Sequence, residues 1–198
     1  MATGIGDPSS AFKEFNLRNG GVLRTYAFRG SGQNYRRQVG DQWQAINLQK
    51  SQWRGGDDPV AFYVNIGLHF PRVEMERLVP PPATHAKLTA TNADQTLRVD
   101  ELFPDDRFNW FEVDRWNLEN TWTRFEALLR GRLVPVLDSM ATPDGLAAVM
   151  RTMPWMVSSV TRKFLGRKLA SPVWDPKDEE AGRWKQDKLG RWWGPGEW

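Results

Sequence analysis

The run VAFYVNIGLHF, residues 60–70, alternates without a break: Val60, Phe62, Val64, Ile66, Leu68 and Phe70 share one side, and Ala61, Tyr63, Asn65, Gly67 and His69 the other. A period of two held over this length specifies a β-strand with one apolar face. That face has to be covered by the rest of the chain. The polar side carries an asparagine at the strand centre, where this residue is disfavoured.

A second asparagine, Asn47, lies in the preceding run QWQAINLQKS, and a Gly-Gly-Asp-Asp-Pro turn joins the two runs. Matching apolar with apolar residues sets Ile46 opposite Ile66, Leu48 opposite Val64 and Gln44 opposite Leu68. The reverse side then follows: Asn47 opposite Asn65, Gln49 opposite Tyr63, Ala45 opposite Gly67 and Trp43 opposite His69, with direct neighbours about 5 Å apart. This predicts an amide and aromatic platform with a shallow gap at Ala45 and Gly67. It is either an internally bonded network or a binding face. Its candidate residues are Asn47, Gln49, Tyr63, Asn65 and His69, with Arg37 adding a cation from the preceding strand, although Arg36 has the other phase.

Upstream, YRRQV and QWQAINLQKS read as two strands joined by a hairpin turn at Gly40-Asp41, and GSGQN at 30–34 reads as a turn. Residues 9–28 have helical spacing that Gly20-Gly21 is expected to break or shorten, since each interior glycine costs about 1 kcal/mol. TLRV and RFNWFEV supply further short strands. From Leu118 the apolar period lengthens to three and four, giving a long helix to about residue 139 that Pro135 should kink or end. Thr142-Pro143-Asp144 caps another helix at 143–151. The expected fold is α+β: an antiparallel sheet with helices packed on one face. The expected domain spans 1–155, followed by a C-terminal basic, Trp-rich extension at 156–198.

The formal net charge is +3 and the pI about 9.3, a mild bias that singles out no partner. Cysteine is absent, which excludes disulfides, a thiolate nucleophile and a cysteine zinc site and suits a reducing cytoplasm. No signal peptide or membrane span is read, so a cytoplasmic protein without a membrane partner is expected. The two histidines, His69 and His85, lack metal-ligand spacing. GSG at 30–32 lacks the rest of a phosphate loop, there is no nucleophile elbow, and the acidic pairs Asp57-Asp58 and Asp105-Asp106 mark turns. No catalytic residue, cofactor or metal is expected.

Five of the eleven tryptophans, at 174, 184, 192, 193 and 198, stand near the C-terminus. Trp184, Trp192 and Trp193 are interleaved with Arg and Lys. Such an arm can dock on its own domain, bind a protein, or stack on bases while neutralising phosphates.

Trp43, INLQKS at 46–51, the Gly-rich turn and FYVNIGLHF at 62–70 together resemble the bacterial family catalogued as domain of unknown function 4304. The match rests on Asn47, Gln49, Lys50, Ser51, Asn65 and Gly67, and covers residues 10 to 140. The resemblance implies an α+β domain whose hairpin packs on helices, and it brings no catalytic residues. The function expected is non-catalytic binding of a protein partner through the platform or the tail, by fold-level analogy with immunity proteins that neutralise a toxin. The alternatives are a nucleic-acid binder using the tail, and an enzyme with an amide-lined small-molecule site.

Overall fold

A computed structural model describes residues 8–51, 58–73, 87–104 and 110–166, with the backbone of two short strands at 185–186 and 192–193. Helix α1 (Pro8–Thr25) leads into strands β1 (Arg29–Ser31), β2 (Asn34–Val39), β3 (Gln42–Lys50) and β4 (Val60–His69). A single 3-10 turn, Ala90–Asn92, precedes β5 (Gln95–Arg98), the one-turn helix α2 (Val99–Leu102) and β6 (Phe111–Val113). The remainder is helical: α3 (Leu118–Leu128), a π-helical turn (Leu129–Leu133), α4 (Val134–Met140), α5 (Pro143–Thr152), a 3-10 turn (Pro154–Met156) and α6 (Ser159–Leu165).

The sheet is antiparallel throughout, in the order β1-β2-β3-β4, and the long β4 carries two short strands along its outer edge. Strand β5 pairs with Asn65–Leu68, and β6 pairs with Val60–Phe62. The β3–β4 register is the one that hydrophobic matching predicts, from Trp43 opposite His69 to Gln49 opposite Tyr63. Gly40, at φ +58°, supplies the left-handed residue that the β2–β3 hairpin turn requires.

One sheet face packs on the helices. Phe62 contacts Phe12, Phe15, Phe111 and Phe125, with ring centroids 5.0–6.3 Å apart. Ile46, Leu48, Ile66 and Leu68 are almost wholly buried beside this cluster. Burying each such side chain stabilises the fold by about 1.5–3 kcal/mol. Helix α6 belongs to the same core, since Phe164 stacks on Phe70 at 4.4 Å.

Glutamines also occupy this helix-covered face. Gln44, wholly buried, donates to Leu137 O at 2.6 Å, and Gln42 donates to Met140 O at 3.2 Å. Gln95 donates to Met156 O at 2.7 Å and accepts from Ser158 N at 2.8 Å. These amides satisfy backbone groups that helix ends leave without partners. Carboxamides therefore line both faces of the sheet.

Helix α1 continues through Gly20-Gly21 instead of breaking there. Gly20 lies against Tyr35, whose hydroxyl is 2.6 Å from where a Cβ on Gly20 would stand and donates to Asn16 O at 3.2 Å. The glycine gives up helix propensity for this close approach. The helix ends in a Schellman arrangement, with Phe28 N bonded to Leu23 O, Ala27 N to Arg24 O, and Ala27 at φ +64°.

The chain stays helical through Pro135, which stands at the start of α4 directly after a π turn that breaks the α-helical winding. A proline ring clashes with the carbonyl four residues earlier, and that position, Gly131, lies in the π turn, whose wider winding accommodates the ring. Thr142 caps α5 as expected, its Oγ1 accepting from Gly145 N at 3.1 Å.

Candidate functional site

The outer face of the sheet is built by residues of one phase: Asn34 and Arg36 on β2, Ala45, Asn47 and Gln49 on β3, Tyr63, Asn65 and Gly67 on β4, and Thr96 and Arg98 on β5. The two asparagines of the hairpin are direct ladder partners. Asn65 Nδ2 donates to Asn47 Oδ1 at 3.2 Å and to Gln49 Oε1 at 2.7 Å, and Asn47 Nδ2 donates to Asn34 Oδ1 at 2.9 Å. A row of four carboxamides thus crosses three strands. Asn65 is buried, Asn47 half-buried and Gln49 exposed.

The row is flanked by an aromatic and cationic margin. Arg98 lies over the Tyr63 ring at 4.3 Å and bonds Asp100 Oδ1 at 3.0 Å. Its backbone N–H donates to Glu101, whose pKa is raised by burial and held down in part by that same hydrogen bond. Glu112 pairs with Ala61 in the outer phase, and its carboxylate accepts from the Trp110 indole N–H at 3.2 Å, so Trp110 stands at this margin. The Trp110 side chain is 51% exposed.

The other end of the face is closed. Gly67 lies beneath the 3-10 turn, where an added Cβ would come within 2.6 Å of Ala90 Cα and 2.7 Å of Ala93 Cβ. Thr96 Oγ1 fastens that turn by donating to Ala90 O at 2.8 Å. The gap expected at Ala45 and Gly67 is therefore filled by the chain itself. His69 is on the outer face as predicted but buried, with Nδ1 2.7 Å from the equally buried Asp94, which also accepts from Phe70 N. It locks the covering segment to the end of β4.

Arg37 does not join the platform. It pairs with Gln44 in the ladder and points into the helix-covered face, donating to Gln44 Oε1 at 2.9 Å, Tyr26 O at 3.2 Å and Asp138 Oδ1 at 2.5 Å. Its phase is the opposite of Asn47's, and the outer-face arginine of β2 is Arg36, opposite Ala45. Trp184 lies outside the described residues, as do the side chains of Trp192 and Trp193; the backbone of Trp192 and Trp193 pairs antiparallel with Lys185-Gln186.

Asn34, Arg98 and Trp110 are among the members of the face that the sequence pattern does not single out. The alternation of NWFEV, with Trp110 and Glu112 in one phase and Phe111 and Val113 in the other, carries the signal for Trp110. Arg98 and Asn34 become members only through strand pairings that local pattern does not fix.

Among the described residues no group of three His, Asp or Glu side chains is placed to hold a metal ion. No helix among them is long and apolar enough to cross a membrane. No curated protein and no solved structure matches the chain. Residues 20–139, more than half of the sequence and including every strand of the main sheet, match the family described as Domain of unknown function (DUF4304). The chain belongs to that family.

Proposed function

We propose that this chain is a non-catalytic binding protein that engages a protein partner through the open half of the outer sheet face. The observation that carries the reading is the carboxamide row from Asn34 to Gln49, internally bonded and bordered by the exposed Trp110 indole. Protein interfaces favour aromatic and arginine side chains among polar groups. Carboxamides fixed by one another meet a partner with little further ordering to do, which reduces the entropic cost of binding. Glu101, the carboxyl here with a raised pKa, is engaged in capping α2, which favours binding over acid-base chemistry. The resemblance to a bacterial family and a sequence without cysteine support placing the encounter in a reducing bacterial cytoplasm.

The test is capture from the source cell with the immobilised chain, run beside the folded double variant Gln49→Arg/Trp110→Ala and a chain lacking residues 173–198. The reading expects a protein bound at micromolar concentration by the wild type and the truncated chain and lost by the double variant. Capture that survives the double variant and disappears with the truncation assigns binding to the tail instead.

A further inference from the structure

We propose that a second site, a cleft of about 630 Å3 between α1 and the β1–β2 turn, binds a small organic anion: an acidic head group on an apolar body that also carries an N–H or O–H donor. The volume falls within the range of small-molecule pockets, about 300–1,000 Å3. The cleft borders the proposed partner face and shares Asn34 with it, but its test reads small-molecule binding and does not depend on that reading.

Charge is the first argument. Lys13, Arg24 and Lys50 converge on the cleft from α1 and the end of β3, and none of its lining residues is acidic. The Lys50 ammonium lies over the Phe12 ring at 4.6 Å, which holds it at the cleft wall. Arg24 acts electrostatically on the buried Tyr35 hydroxyl, opposing the rise in pKa that burial causes. Three cations around one concavity attract an anion and strengthen each other's effect on it where water is partly displaced.

The apolar body is argued from Leu17 and Phe12. Leu17 is 75% exposed on the cleft's lip, an unusual setting for a leucine on a helix whose other large apolar side chains are buried. A ligand seated between Leu17 and Phe12 covers that surface.

The donor is argued from Asn16. Asn16 lines the cleft, is only 7% exposed and donates through Nδ2 to Phe12 O at 2.8 Å, while its Oδ1 has no hydrogen-bond partner. A buried carbonyl oxygen left in this state costs about 1–3 kcal/mol. Oδ1 is sealed from solvent, so a ligand N–H or O–H satisfies it once the Asn16 side chain turns toward the cleft. The Tyr35 hydroxyl bonds the Asn16 backbone carbonyl and holds the helix segment that carries it.

Three fluorescent probes separate these elements. Dansylglycine carries a carboxylate, a naphthalene body and a sulfonamide N–H; dansylsarcosine lacks the N–H; dansylamide lacks the carboxylate. Titrated into the full chain, dansylglycine is expected to bind saturably at one site, dansylamide about tenfold or more weakly, and dansylsarcosine about threefold or more weakly. The double variant Arg24→Glu/Lys50→Glu alters exposed side chains and is expected to lose at least about tenfold in dansylglycine affinity, while Lys163→Glu on α6 binds as the wild type does. Circular dichroism checks that each variant is folded. Absence of saturable dansylglycine binding, equal affinity for the three probes, or undiminished binding by the folded double variant overturns the proposal.

Discussion

Asn65 reaches across the β3–β4 pair and donates to Asn47 Oδ1 at 3.2 Å, and the two residues are direct partners in the ladder. The hydrogen bond explains why two strand centres carry a residue that strands disfavour. Each asparagine loses local propensity, and the pair recovers it in a row that ties three strands together on the sheet face opposite the helix-packed core.

Replacing Asn65 by alanine removes two side-chain hydrogen bonds, to Asn47 and to the exposed Gln49. The acceptors left behind are within reach of water, so the loss is expected at about 1–2 kcal/mol and not at the full cost of a buried orphan. Urea denaturation of Asn47→Ala, Asn65→Ala and the double variant should give a coupling of about 0.5–1 kcal/mol. Additive losses would show that the two amides act separately.

Gly20→Ala places a methyl 2.6 Å from the Tyr35 hydroxyl. It should destabilise by about 1–2 kcal/mol although alanine is the better helix former. In a Tyr35→Phe background the nearest ring atom becomes Cζ at 3.2 Å, and much of that penalty should disappear. A thermodynamic cycle over the two positions reads the difference.

Arg37 is a structural tie. Arg37→Met leaves the buried Gln44 Oε1 without its guanidinium donor and releases Asp138, which is 58% exposed and rehydrates. The expected loss is about 2 kcal/mol by chemical denaturation, with partner capture unchanged because the residue faces the helices. Capture lost by a folded Arg37→Met protein would contradict the assignment of faces.

The raised pKa of Glu101 means that the folded state holds its proton more tightly than the unfolded chain does. The wild type therefore loses stability through this residue as pH rises from about 4 toward neutrality. Glu101→Gln keeps an oxygen that can accept from Arg98 N and does not titrate. Its Tm relative to the wild type should climb between about pH 4 and pH 7. A difference that stays flat or falls would place the carboxyl in a solvated site.

Residue pattern alone made the β3–β4 register legible, because a one-residue slip puts Asn65 among aliphatics and the core does not tolerate it. The Thr142 cap and the hairpin at Gly40 were legible for the same reason: each is a local rule with a local cause. The continuity of α1 through Gly20-Gly21 was not, since it depends on Tyr35, which is distant in sequence and close in the fold. Nor was the closure of the Gly67 end, which depends on where the segment after β4 lies. The sequence suggests Arg37 for the outer face, where Arg36 stands, because a hairpin turn hides the phase of the strand before it. The strand pattern sets Gln44 on the core side, but its acceptor, like that of Gln42, is a helix-end carbonyl that no strand pattern reveals.

The most direct test of the partner face follows the captured protein into an NMR titration of the 15N-labelled chain. The account predicts that the side-chain NH2 signals of Asn47 and Gln49 and the Trp110 indole signal shift most as the partner is added. Unmoved carboxamide signals, with shifts confined to the indoles of Trp184, Trp192 and Trp193, would contradict it.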